Sequence, residues 1–170
     1  MQLEKPSALR RKELYRSRAC PENSPAADAL LDRCEAELLA AAQPRGVWRI
    51  LPREQAPEAL LLDEGDIARH LEGCSRLVLM AVTLGAGVER LLRRYSATDV
   101  ALATAADAAA SVLVDQMADV LEAHIRSQLA KDHWYMTGRY SPGYGNWPLP
   151  VQADLCRVLD TGRAIGLGVS

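Results

Sequence analysis

The segment RYSPGYGNWPLP, residues 139–150, holds one guanidinium, three aromatic rings, two glycines and three prolines, in a chain that has no phenylalanine at all. Arg139 offers a planar fork of donors matched to a carboxylate. Tyr140, Tyr144 and Trp147 offer flat apolar faces with polar tips, suited to stacking on a purine or to holding a sulfonium by cation–π attraction. Pro142, Pro148 and Pro150 fix φ and remove amide donors, so the segment cannot be regular structure. A loop stiffened in this way loses little entropy on binding. Gly143 and Gly145 allow positive φ and close backbone approach, and the amides near them are read as available to polar ligand atoms. Two readings fit these residues. One is a surface for a ligand that combines a carboxylate, a ring and a cation; the other is a rigid turn whose aromatics plug the core.

A second constellation lies between residues 100 and 129. At about 100° per residue, Asp107, Ser111, Asp115, Asp119 and Glu122 fall within roughly one-third of a helix circumference. Thr104 and Arg126 share that line, and nearly everything else is Ala, Val, Leu, Ile or Met. Such a helix is buried over most of its surface and carries one acidic stripe. The stripe is either a solvated face or a wall opposite a bound cation, because partly buried carboxylates need partners.

The elements that must position these groups follow from period and punctuation. A short helix or arm is expected over residues 7–18. Ser24, with Pro25 at the first helical position, opens a helix that Pro44 and Gly46 end. VWRILPRE alternates apolar and polar residues and reads as a strand limited by Pro52. ALLLDE reads as another short strand. Asp63 or Glu64 then starts the helix GDIARHLEG, closed by Gly73. RLVLMAVTLG is a continuous apolar run and reads as a buried central strand. Gly85 and Gly87 turn it into the helix VERLLRRY, and Asp99 caps a long helical region through Lys131, either continuous or with one break. VQADLCRVLDTG reads as a helix with a glycine stop, and RAIGLGVS as the start of a last strand. Helices and strands mix without a β-α-β repeat, which favours an α+β fold with a mostly antiparallel sheet flanked by helices. The expected organisation is one compact domain, with an N-terminal helical arm at 1–44 and an α+β core at 45–170.

Composition narrows the partners. The chain has 170 residues and a net charge of −2, with 49% hydrophobic and 25% charged residues. A nucleic-acid or anionic-membrane role needs a basic surface, so neither partner is expected. Residues 100–114, the longest low-charge stretch, read as too short and too weakly apolar for a membrane span. Cys20, Cys34, Cys74 and Cys156 form no C-x-x-C pair, and His70, His124 and His133 stand at no ligand spacing to them, so no zinc site is expected. The N-terminus lacks an apolar signal region, and a cytoplasmic location with reduced thiols is expected.

The stretch TGRYSPGYGNWPLPVQADL resembles the motif of the activation (reactivation) domain of vitamin B12-dependent methionine synthase, and most closely the stand-alone proteins similar to that domain. Arg139, Gly143 and Tyr144 match the family's R-x-x-x-G-Y pattern. DIARHLEGCSRLVLMAVTLGAGVERLLRRY and DAAASVLVDQMADVLEAHI resemble the stand-alone members as well, so the likeness covers most of residues 45–169. It implies a twisted antiparallel sheet with helices around it and a site for S-adenosylmethionine. In that site Arg139 would hold the carboxylate, Ser141 would make a backbone contact and Tyr144 would line the pocket. Asp119 would take the place of a helix glutamate near the ligand amine, with Asp115 or Glu122 as alternatives. The implied function is support for reductive methylation of cob(II)alamin carried by methionine synthase or another corrinoid protein, with a flavodoxin-like electron donor. No D-x-H-x-x-G motif is present, so cobalamin would arrive on the partner. The family continues with a strand and a P-x-K-S-V-type tail, whereas this chain stops at Ser170; an early C-terminal end of the fold is expected on this reading. The alternative is a non-catalytic binding or protein-interaction relative of the domain.

Overall fold

The computed structural model describes residues 1–16, 25–62 and 64–168. Among them are seven α-helices and a two-stranded antiparallel sheet, an α+β fold. In chain order these are α1 (Arg11–Arg16), α2 (Pro25–Ala41), β1 (Arg45–Pro52), α3 (Gly65–His70), β2 (Arg76–Thr83), α4 (Ala86–Thr98), α5 (Val100–Leu129), α6 (Val151–Leu159) and α7 (Thr161–Ile165). The chain forms two compact units: Met1–Gly46 with Val82–Ala123, and Val47–Ala81 with His124–Ser170.

In the first unit α5 is the central element. Ala105, Ala106, Ala109, Leu113, Met117 and Leu121 are buried along it. Its start matches the expected cap: Asp99 Oδ1 accepts the Leu102 amide at 3.0 Å, which satisfies one of the helix's orphan donors. The helix runs without a break to Leu129 and passes into a 3₁₀ turn, Ala130–Asp132. Together, Val100–Asp132 is long and apolar enough to cross a bilayer by length and composition, and half of its most apolar stretch is buried within the protein. The expectation of a segment too short and too weakly apolar for a span, drawn from residues 100–114, is therefore corrected on both counts, by length and composition alone.

The same unit ties its N-terminal segment down with charge. Glu35 is 9% exposed. Its carboxylate accepts the Leu9 amide at 2.7 Å and the Arg11 guanidinium at 3.0 and 2.6 Å. Asp32 and Glu35 together raise the Arg11 pKa above its ordinary value. Nearby, Glu37 meets Arg94 at 2.6 Å and Arg33 at 3.2 Å. The neighbouring Tyr95 phenol first, then these guanidiniums, hold Glu37 below the usual carboxylate range. Burial first, then Glu37, pushes Tyr95 up. Helix α1 begins at Arg11 rather than near residue 7, and the expected cap at Ser24 lies outside the described residues.

The second unit packs Leu60, Ile67, Leu71, Leu77, Leu79, Val151 and Leu159 around Trp147. Four expectations fail here. Of the strand expected over 59–64, residue 63 lies outside the described residues and 59–62 form no strand: Pro57 starts a 3₁₀ turn, Glu58–Leu60, in which the Leu60 and Leu61 amides bond locally to the carbonyls of Pro57 and Glu58, both at 2.9 Å. The run 76–85 is not a central strand, because among the described residues β2 pairs only with β1. The last strand is also absent among the described residues: Arg163 and Ile165 belong to α7, which Gly166 ends at φ 73°. Thr161 Oγ1 donates to the Leu167 carbonyl at 2.8 Å and folds the chain back. Nor does Gly162 stop α6; Asp160, at φ 50°, breaks the helix, and Gly162 sits inside α7. Val169 and Ser170 lie outside the described residues.

Candidate functional site

The loop that joins α5 to α6 is irregular but thoroughly held. At its start, Arg126 at the end of α5 donates to the carbonyls of Met136 and Thr137 at 2.9 and 2.7 Å. The Arg76 guanidinium lies 4.5 Å over the Trp134 ring, a cation–π contact. Thr137 Oγ1 is 3.3 Å from His70 Nε2, and the His70 ring lies 5.2 Å from that of Tyr140. Further along, the Gly143 amide donates to the Trp147 carbonyl at 2.8 Å and the Trp147 amide to the Tyr144 carbonyl at 3.0 Å. The Tyr140 hydroxyl donates to the Tyr144 carbonyl at 3.2 Å. Pro148 and Pro150 then lead into α6, whose first amides bond back to residues 148–150.

Close approach explains two glycines. A Cβ at Gly145 would sit 2.3 Å from an Asp66 carboxylate oxygen and 2.4 Å from the Tyr140 hydroxyl, at φ 52°. A Cβ at Gly65 would sit 1.7 Å from Asn146 Nδ2. A side chain at Gly65 forces Asn146 to move and one at Gly145 forces Asp66 and Tyr140 to move, and both positions have a positive φ that favours glycine.

The loop divides its functional groups between two tasks. Trp147, 5% exposed, plugs the core, and Tyr140 packs partly against the same cluster. Tyr144, by contrast, is 70% exposed, and Arg139, Ser141 and Gly143 are exposed with it. The reading of a rigid turn whose aromatics plug the core thus describes Trp147 and, in part, Tyr140, while Arg139 and Tyr144 lie at the surface. One detail is corrected: the Gly143 amide, read as available to a ligand, is already spent on the Trp147 carbonyl.

The acidic candidates belong to the other unit. Asp115 is exposed, while Asp119 and Glu122 are half-buried on α5. Asp119 pairs with Arg10, and Gln116 beside it accepts the Arg10 amide at 3.1 Å. Part of the stripe therefore serves to hold the N-terminal segment. Further up α5, Asp107 and Ser111 border an open cleft of about 220 Å³ lined mainly by Leu84, Val88, Leu92 and Val114. That cleft carries neither a cation nor an aromatic face, so it does not share the chemistry of the loop.

Asn146, Arg126 and His70 were not singled out as site-forming by sequence reasoning. Each acts through a partner distant in sequence, and no local spacing announces such a pairing. Only the position of Arg126 in the last turn of a helix, where a cation suits orphan carbonyls, gave a usable signal. Comparison with protein-family models yields no match, and comparison with the curated proteins yields none either.

Proposed function

We propose that the exposed face of the 139–149 loop binds S-adenosylmethionine, and that the chain is a cytoplasmic reactivation module supporting reductive methylation of cobalamin on a methionine synthase or related corrinoid partner. The observation that carries this reading is the display of Tyr144 at 70% exposure on a loop anchored by a Trp147 that is 5% exposed. A loop built only to plug the core has no use for an exposed phenol and an exposed guanidinium on one stiffened turn. Carboxylate recognition suits Arg139, and a purine face or a sulfonium suits the ring of Tyr144. The charge of Asp119 is already matched by Arg10 inside its own unit, so the reading rests on the loop residues.

S-adenosylmethionine supplies an activated methyl group when bound. The task of this chain is to hold and aim it, since alignment of the methyl with its acceptor dominates such a transfer. No general base is needed, because the methyl carries no proton to remove. Cobalamin would come with the partner, and an electron from a flavodoxin-like donor.

The test is thermal unfolding with and without millimolar S-adenosylmethionine. A ligand at one hundred times its Kd adds about 2.7 kcal/mol of stability, a shift of several degrees that should vanish in Arg139→Ala. The absence of any shift in the wild-type chain refutes the binding reading. A shift without methylation of a corrinoid partner favours a binding module with no part in methyl transfer.

A further inference from the structure

Helix α3 begins without a cap of its own: Glu64 precedes it and makes no side-chain capping bond. The acceptor comes instead from 80 residues away, where Asn146 Oδ1 receives the Asp66 amide at 2.8 Å. The same side chain donates through Nδ2 to the Glu64 carbonyl at 3.1 Å. One amide thus satisfies a first-turn donor and the acceptor just before it, the task usually done by a residue at the helix start. Gly65 leaves the room this needs, since a Cβ there would meet Asn146 Nδ2 at 1.7 Å. The other end of α3 touches the same loop through His70, which meets Thr137 and Tyr140. The loop therefore grips α3 at both ends, and Arg139 and Tyr144 stand exposed between the two grips.

We infer that Asn146 is a positioning residue: by capping α3 from outside, it fixes the spacing of the Arg139 guanidinium and the Tyr144 ring for the carboxylate and the flat end of one ligand. The ligand half of this inference rests on the S-adenosylmethionine reading above; the cap does not. With the cap broken, the loop must be ordered at the moment of binding, and affinity falls by that cost.

The experiment uses the full chain with Asn146→Ala and Asn146→Asp. Amide exchange is followed residue by residue by NMR, and S-adenosylmethionine affinity by calorimetry. Asn146→Ala should speed exchange at Asp66 and Gly143 about five- to tenfold, the size of one lost cap, and weaken S-adenosylmethionine by a similar factor. Asn146→Asp keeps the acceptor and loses the donor, so it should restore part of both effects. A purely structural role would not give this graded rescue of affinity. Unchanged exchange at Asp66 in Asn146→Ala overturns the cap. Faster exchange with unchanged affinity overturns the positioning role. If the wild-type chain binds no S-adenosylmethionine, the ligand reading falls, and the exchange comparison still upholds or overturns the cap.

Discussion

The N-terminal segment of the first unit and the 133–150 loop of the second are both largely irregular chain, and they are held by different means. The first is held by charge. Glu35 takes the Leu9 amide and the Arg11 guanidinium, and Asp119 takes Arg10. The second is gripped at its start by Arg126 and Arg76 and held over the rest by a buried indole, a side-chain amide and glycine clearances. Charge pairing occupies Glu35, Arg11, Asp119 and Arg10 with one another. Trp147 and Asn146 anchor a loop on which Arg139 and Tyr144 are solvent-exposed. The residues that hold a loop are therefore not the residues to test for function, and the variants below separate the two.

The largest effect should come from the anchor. Trp147→Ala removes the centre of the second unit's core and should cost about 3 kcal/mol or more, read by denaturant unfolding. Glu35→Ala should cost about 2 kcal/mol, since it strands a buried amide and its guanidinium partner; the same unfolding measurement reads it. Arg139→Ala sharpens the contrast. It should change stability by less than about 0.5 kcal/mol and still abolish stabilisation by S-adenosylmethionine. A large loss of stability in that variant would make Arg139 a structural residue and remove the contrast.

The smallest effect concerns pH. Glu37 has a lowered pKa in the folded state, from Tyr95 first and then Arg33 and Arg94. A lowered folded pKa gives stability that is present above the unfolded value and lost as pH falls through the folded one. Unfolding midpoints followed from neutral to acid pH should thus fall less steeply in Glu37→Gln than in wild type. An identical slope would show that this carboxylate adds nothing to the acid response.

How much was legible in the sequence depended on how local the physics was. The cap at Asp99, the glycine turn into α4 and the two strands were readable because each signal lies within a few residues of the element it sets. The division of labour in the loop was not. Nothing in the order Tyr140, Tyr144, Trp147 says which ring goes inward, because the core that receives Trp147 is assembled from residues between 60 and 159. The strand expected at 59–64 failed because Pro57 offers its carbonyl to a local turn before any partner strand is available. The strand expected at the end failed because apolar residues near Ile165 suit a helix as well as a ladder, and short apolar runs do not decide between them. The acid stripe was read correctly as a line on α5, but its link to Arg10 spans 109 residues and left no mark in the local pattern.

The most direct measurement is hydrogen exchange with and without saturating S-adenosylmethionine, compared between these two irregular segments. The account predicts slower exchange at backbone amides in 139–149 and none of that slowing across residues 1–16. Slowing in the N-terminal segment alone, or in neither, would contradict it.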